Sequence, residues 1–311
     1  MSKGQYVEFP KRLTRRELNA RYREIPLKDS TSRLLRKYFD AMATLYAIIP
    51  LYKAREIILT LSPGLVTEDE FLAFAEIACH ECTRYYILGN DALFSNIRHT
   101  KPLDREIIDA ALLEGSLDLY IETKRSQQDK PYYVPSKEQL LKYADFFYCE
   151  DTPEKLKLRD FLKKRCNLSE EQGENVLEAL LINARSPVGK VADAFDCLEM
   201  LGVQFKSQQD LERFTALYSA FHNTTRMPCN RGYTPKELMQ MSPPGARLQS
   251  ISLGPNIRAL PQTGKMDIED FRKQILAMDL PSEAVRLDLL RQLAAIKPPA
   301  VQAVKQGKKR T

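Results

Sequence analysis

The sequence predicts an all-α fold: a multi-helix array of short amphipathic helices in two lobes, with a basic N-terminal arm and a disordered basic tail. Three observations predict it. Apolar residues recur at spacings of three and four along most of the 311-residue chain. Ser or Thr, often followed by Pro or by Glu/Gln three residues on, punctuates the periodic segments as helix starts do. Glycine is sparse, 12 in all, and no segment alternates apolar and polar residues long enough to read as a half-buried strand.

The elements follow in chain order. "LTRRELNARYREI" reads as a short helix with a thin apolar stripe of Leu13, Leu18, Tyr22 and Ile25 and an Arg-rich outer face. From Ser32, Leu34, Leu35, Tyr38, Phe39, Met42 and Leu45 mark a long amphipathic helix that Pro50 ends or kinks. "LYKAREIILTL" is the next, closed by Ser-Pro-Gly. Thr67 and Glu70 form a capping box for a helix read as continuous to Gly89. "PLDREIIDAALLEGSLDLYIETK" reads as another. The polar "SQQDKPYYVP" is the expected boundary between lobes. Beyond it, Ser136, Thr152 with Pro153, Ser169 with Gln172, Ser186 with Pro187, and Ser207 each open a helix. One or two amphipathic helices within "DIEDFRKQILAMDLPSEAVRLDLLRQLAAI" come last. The implied division is a basic arm (1–31), an N-terminal helical lobe (32–125), a C-terminal helical lobe (132–241), a linker (242–265), terminal helices (266–296) and a basic disordered tail (297–311).

Charge is unevenly placed. Ten Lys/Arg face three acids between Lys11 and Lys37, and five Lys/Arg face none from Lys297 onward, so the basic ends flank a net-acidic body. Basic ends attract phosphate backbones, anionic membranes or acidic proteins, although plain solvated termini are the favoured reading. Lys11, Arg12, Arg15, Arg16, Arg21 and Arg23 are the candidate nucleic-acid contacts. Six scattered cysteines, and a polar basic start lacking an apolar core, predict a reduced, cytoplasmic protein. The longest apolar run, "AMATLYAIIPLY", falls well short of the roughly 20 residues a membrane helix needs, so no membrane partner is expected.

Motifs for chemistry are thin. Cys79 and Cys82 in "CHEC", with His80 between them, have zinc-like spacing, but no second pair completes a ligand set, and on a helix they share a face with Ala75, Ala78 and Tyr86. Small core cysteines are the plainer reading. His222 and Cys229 are near enough in sequence for a Cys-dependent enzyme, the least favoured of the readings. No catalytic residue, metal or cofactor is assigned.

The most distinctive stretch is "NTTRMPCNRGYTP", residues 223–235. Asn223 can stop the preceding helix in the left-handed conformation, Gly232 can supply an unusual backbone angle, and Thr234, Pro235 and Glu237 form a complete helix start. Asn223, Arg226, Asn230 and Arg231 either satisfy the loop's own backbone or bind an anionic or peptide partner. Together with "YYVPSKEQLLKYADFFYCEDTPEKLKLRDFLKKR", this loop resembles the signature of a family of uncharacterised bacterial helical proteins, some with a C-terminal SEC-C zinc motif. The resemblance covers about residues 130–240, with Asn223, Thr225, Arg226, Asn230, Arg231, Gly232, Thr234, Pro235, Glu237 and Leu238 at signature positions. The last cysteine here is Cys229, so the resemblance does not imply zinc. The leading expectation is a non-enzymatic interaction or accessory factor with an unidentified protein partner; the alternative is association with nucleic acid through the basic termini.

Overall fold

The structure is a computed structural model that describes residues 7–241, apart from Cys82, Arg98, Val188 and Lys190, together with residues 268–277 and 283–296. The linker expected at 242–265 and the tail at 297–311 lie outside the described residues. The fold is predominantly all-α, with a small sheet in its first half. In chain order the helices are α1 (Arg15–Glu24), α2 (Asp29–Tyr46), α3 (Leu51–Leu61), α4 (Glu68–Ala78), α5 (Asn90–Leu93), α6 (Asp118–Gln127) and α7 (Lys137–Lys142). They continue with α8 (Pro153–Cys166), α9 (Glu170–Arg185), α10 (Val191–Met200), α11 (Gln208–Thr224), α12 (Pro235–Met241), α13 (Ile268–Ala277) and α14 (Glu283–Ala294). Contacts divide the chain into one unit from Met1 to Leu238 and a second from Met239 to Thr311. Within the second, α13 and α14 pair through Ile275, Leu289 and Leu293.

Local chemistry sets most helix starts. Thr67, Ser136 and Ser169 each close a capping box with the residue three positions on. Thr152 caps α8 with Pro153 at the first helical position, and Ser207 caps α11. Asn167 ends α8 in the left-handed conformation.

Three expectations are corrected. The helix read through to Gly89 stops at Ala78, and Tyr85–Leu88 forms a strand, β2. The segment read as one helix from Pro102 is a single 3-10 turn, a strand β3 (Glu106–Asp109), a second 3-10 turn and only then α6. Ser186 and Pro187 do not open α10; α9 runs to Arg185 with Ser186 as its C-cap, and α10 starts at Val191.

With β1 (Ile48–Pro50) the strands make an antiparallel sheet in the order β1-β3-β2, pairing Ile49 with Ile107 and Ile87 with Ile107. Ile49, Ile107, Ile87 and Tyr85 face one core with α2, α3 and α4; Ile48, Ile108 and Leu88 face another with Leu117 and Tyr120 of the α6 region. Both faces are buried, so apolar residues run continuously and the alternation that marks a half-buried strand is missing. A third core joins α8, α9, α10 and α11 through Leu158, Leu162, Leu180, Phe214 and Tyr218. The polar segment 126–135, expected to separate the lobes, lies inside the first unit. Gln127 there is buried, and its Nε2 donates to the carbonyls of Tyr46 (2.6 Å) and Pro228 (2.9 Å).

The N-terminal segment is attached to the body. The Glu8 and Leu13 N–H groups donate to the carbonyls of Ala92 (3.1 Å) and His80 (3.2 Å). Tyr22 of α1 packs on Phe74, and the Arg36 guanidinium lies over the Tyr22 ring at 4.4 Å.

Candidate functional site

The loop between α11 and α12 closes on itself. Helix α11 continues to Thr224, and extended Thr225 follows; Asn223 therefore does not stop the helix and is not left-handed. It is exposed beside His222. The buried Thr225 hydroxyl donates back to the Phe221 carbonyl at 2.8 Å. Met227 sinks into the third core, and its carbonyl accepts the N–H groups of Asn230 (3.0 Å) and Gly232 (3.1 Å). Two consecutive residues turn the chain with positive φ, Arg231 at 50° and Gly232 at 84°. A Cβ on Gly232 would stand 3.1 Å from Cε1 of Tyr46 and 3.2 Å from Leu45, so the position needs glycine for both angle and space. Thr234 and Glu237 then exchange hydrogen bonds: the Thr234 N–H donates to Oε2 of Glu237 (2.9 Å), and the Glu237 N–H donates to Oγ1 of Thr234 (3.1 Å). Pro235 is the first residue of α12.

Arg226 is the hub. Its side chain is 9% exposed. Nε donates to Oε1 of Glu150 (2.9 Å), Nη1 to Oε2 of Glu237 (2.9 Å) and to the Gly232 carbonyl (3.2 Å), and the guanidinium lies 3.5 Å over the Tyr133 ring. Burial works to lower its pKa, but the bonds to Glu150 and Glu237 outweigh that and raise it, so the charge is held firmly. Glu237 thus serves the helix cap and the ion pair together.

Arg231 is engaged less fully: it has no ion pair among the described residues, and its buried Nε has no hydrogen-bond partner. Its Nη1 donates to the Lys130 carbonyl (2.5 Å), its guanidinium lies 4.5 Å over Tyr132, and its own carbonyl accepts the Tyr133 N–H (3.0 Å). Asn230 accepts from Nζ of Lys130 at 2.6 Å. The tyrosines continue inward: Tyr132 meets Tyr46 edge-on, and the Tyr46 hydroxyl donates to the Tyr133 carbonyl (2.7 Å). Tyr132 and Tyr133 are the residues that sequence reasoning missed. The signal was present in two adjacent aromatic residues within an otherwise polar "SQQDKPYYVP".

The other sequence candidates separate. Cys79 caps the end of α4, so the helix expected to carry both cysteines on one face ends before them; Cys82 lies outside the described residues. The structure instead gathers Glu76, Cys79 and His80, whose ligand-capable atoms lie within 4.8 Å of one another. All three are otherwise accounted for. Glu76 pairs with Arg105 at 2.7 Å, Nδ1 of His80 bonds the Lys11 carbonyl at 2.7 Å, and burial pushes the Cys79 thiol up to about 11. Burial also raises the Cys229 thiol, which disfavours the thiolate a nucleophile needs, and lowers the pKa of His222. All five described cysteines are free.

The N-terminal candidates stay together. Lys11, Arg12, Arg15, Arg16, Arg21 and Arg23 are all exposed, and none forms an ion pair among the described residues. Glu17, an acid in their midst, takes bonds from the N–H (2.8 Å) and hydroxyl (2.7 Å) of Thr14 in the capping box of α1. Among the described residues no helix is long and apolar enough to cross a membrane. No protein-family model, no curated protein and no solved structure matches the chain.

Proposed function

We propose that this chain is a non-catalytic helical factor that associates with nucleic acid through phosphate contacts, with the outer face of α1 as its contact surface. The observation that carries the reading is a run of exposed cations on a segment fixed in place. Lys11, Arg12, Arg15, Arg16, Arg21 and Arg23 are exposed on a segment held to the body by Tyr22, Leu13 and Glu8. Arg16 and Arg23, seven residues apart, project from one side of α1. A contact surface that is already ordered loses less entropy on binding than a free arm. Guanidinium groups on such a face suit phosphate oxygens.

A protein partner at the 223–237 loop is the weaker reading, because Arg226 is bonded on all sides and Arg231 is bonded to the Lys130 carbonyl and covered by Tyr132. Kinship with the bacterial helical family that shares the loop signature is likewise a proposal; the loop's internal bonding accounts for why such a signature would persist as a structural unit.

The test is fluorescence anisotropy with a short labelled duplex and a short single strand, at about 50 mM and about 200 mM salt. Binding at the lower salt that weakens steeply at the higher is expected. Arg16→Glu with Arg23→Glu should weaken binding to all sequences alike and reduce the salt slope by about 2, one for each lost phosphate contact. No binding at the lower salt removes the proposal.

A further inference from the structure

A cavity of about 200 Å³ lies within the first unit, where the end of α2, the stretch from β3 to α6, the end of α9 and the start of the 223–237 loop meet. Ala47, Leu112, Leu119, Phe146, Ile182 and Pro228 make most of its wall apolar. Arg185, the last residue of α9, also lines the wall and is only 9% exposed. Its Nη1 donates to the Phe146 carbonyl (2.7 Å) and its Nη2 to the Tyr148 carbonyl (2.6 Å). These bonds use two of the five N–H donors of a guanidinium. No carboxylate lies within ion-pair distance of it among the described residues, unlike Arg226, which has two. The guanidinium also lies 5.8 Å over the Tyr143 ring. A full charge buried against neutral carbonyls and an aromatic face is costly, and a counter-anion in the adjoining cavity would relieve that cost.

Two further features of the wall are unusual. Thr123 is 1% exposed, and its hydroxyl is buried with no partner. Ala47 has φ 56° and ψ −40°, a conformation unfavourable for a residue with a Cβ. It is held there by bonds from its N–H to the Ala43 carbonyl (2.9 Å) and from the Asp109 N–H to its own carbonyl (2.7 Å). Strain and unsatisfied polar groups gather at ligand sites more than elsewhere.

We infer that this cavity binds a small organic carboxylate, with its apolar body against Leu112, Leu119 and Ile182 and its carboxylate on Arg185. An apolar cavity of about 150 Å³ holds benzene, so this one suits a ligand of about eight to ten non-hydrogen atoms. A straight-chain carboxylic acid of that size matches a mostly apolar wall with one cationic group, and the fork of a guanidinium matches its two oxygens. Asp109, the one carboxylate in the wall, accepts from the Ala111 N–H at 3.0 Å, so the ligand's carboxylate belongs at the Arg185 end. The site is independent of the face of α1.

Calorimetry on the full chain decides the matter, using octanoate and 1-octanol as probes. Octanoate should bind one to one, and octanol at least about tenfold more weakly, because it lacks the charge. Arg185→Gln should remove that preference. Since Arg185 also ties down the 146–148 backbone, a second variant guards against misfolding: Ile182 is 47% exposed at the rim, and Ile182→Trp should fill the cavity and reduce octanoate affinity at least about tenfold with melting temperature unchanged. Absence of octanoate binding at millimolar concentration, equal binding of octanol, or octanoate binding untouched by Ile182→Trp would each overturn the inference.

Discussion

The 223–237 loop and helix α1 are both rich in arginine, and they use it in opposite ways. In the loop, Arg226 has two carboxylates, a carbonyl and an aromatic face around a side chain 9% exposed. On α1, Arg15, Arg16, Arg21 and Arg23 are all exposed and without an ion pair among the described residues. Both segments carry a net positive charge, although arginine is denser on α1. What differs is whether distant chain wraps the guanidinium. Glu150 lies 76 residues before Arg226 and Tyr133 lies further back still, and only folding brings them to it.

Arg226→Ala tests the comparison at its strongest point. It strands Glu150 and Glu237 and uncovers the Tyr133 ring, so chemical denaturation should show a loss of about 3 kcal/mol. A loss no larger than that of a surface arginine would mean the enclosure contributes nothing. Gly232→Ala comes next. It combines a positive φ with a Cβ pressed on Tyr46 and Leu45, and about 2 kcal/mol should be lost by the same measurement.

His222 gives a smaller, pH-dependent effect. Burial lowers its folded-state pKa below the ordinary 6.5, so the unfolded chain takes up the proton first. The neutral ring's contribution is therefore complete above about pH 6.5 and is lost as pH falls through 6.5 towards the depressed folded value. Melting curves of His222→Gln should show a shallower fall in stability across that window than the unsubstituted chain. Equal slopes would place the acid sensitivity elsewhere. At the bottom of the scale, Arg16→Ala with Arg23→Ala should change stability by under about 0.5 kcal/mol while still weakening nucleic-acid binding. A large stability loss here would erase the contrast between the two regions.

Much of the fold was legible because helix starts are written locally. Thr67, Ser136, Thr152, Ser169 and Ser207 cap the helices they precede, and each needs only the next three residues to do so. The sheet was not legible. Its strands are three or four residues long and buried on both faces, so neither period nor length separates "YYIL" from a turn of helix. Asn223 was misread for a related reason: asparagine permits a left-handed stop, but Thr225, bonded back to Phe221, carries the chain one residue further.

The candidate site divides along the same line. Local sequence dictates the turn at Gly232, the paired bonds of Thr234 and Glu237, and the cationic density of α1, since each depends on residues within a turn or two of one another. It took the folded chain to bring Tyr132 and Tyr133 under the two loop guanidinia, to bury Arg185 beside a cavity with no carboxylate in ion-pair distance of it among the described residues, and to hold α1 against the body. Range accounts for the division. A cap or turn is fixed by hydrogen bonds across three or four residues, whereas the environment of a charge is set by whatever distant chain the hydrophobic cores bring to it.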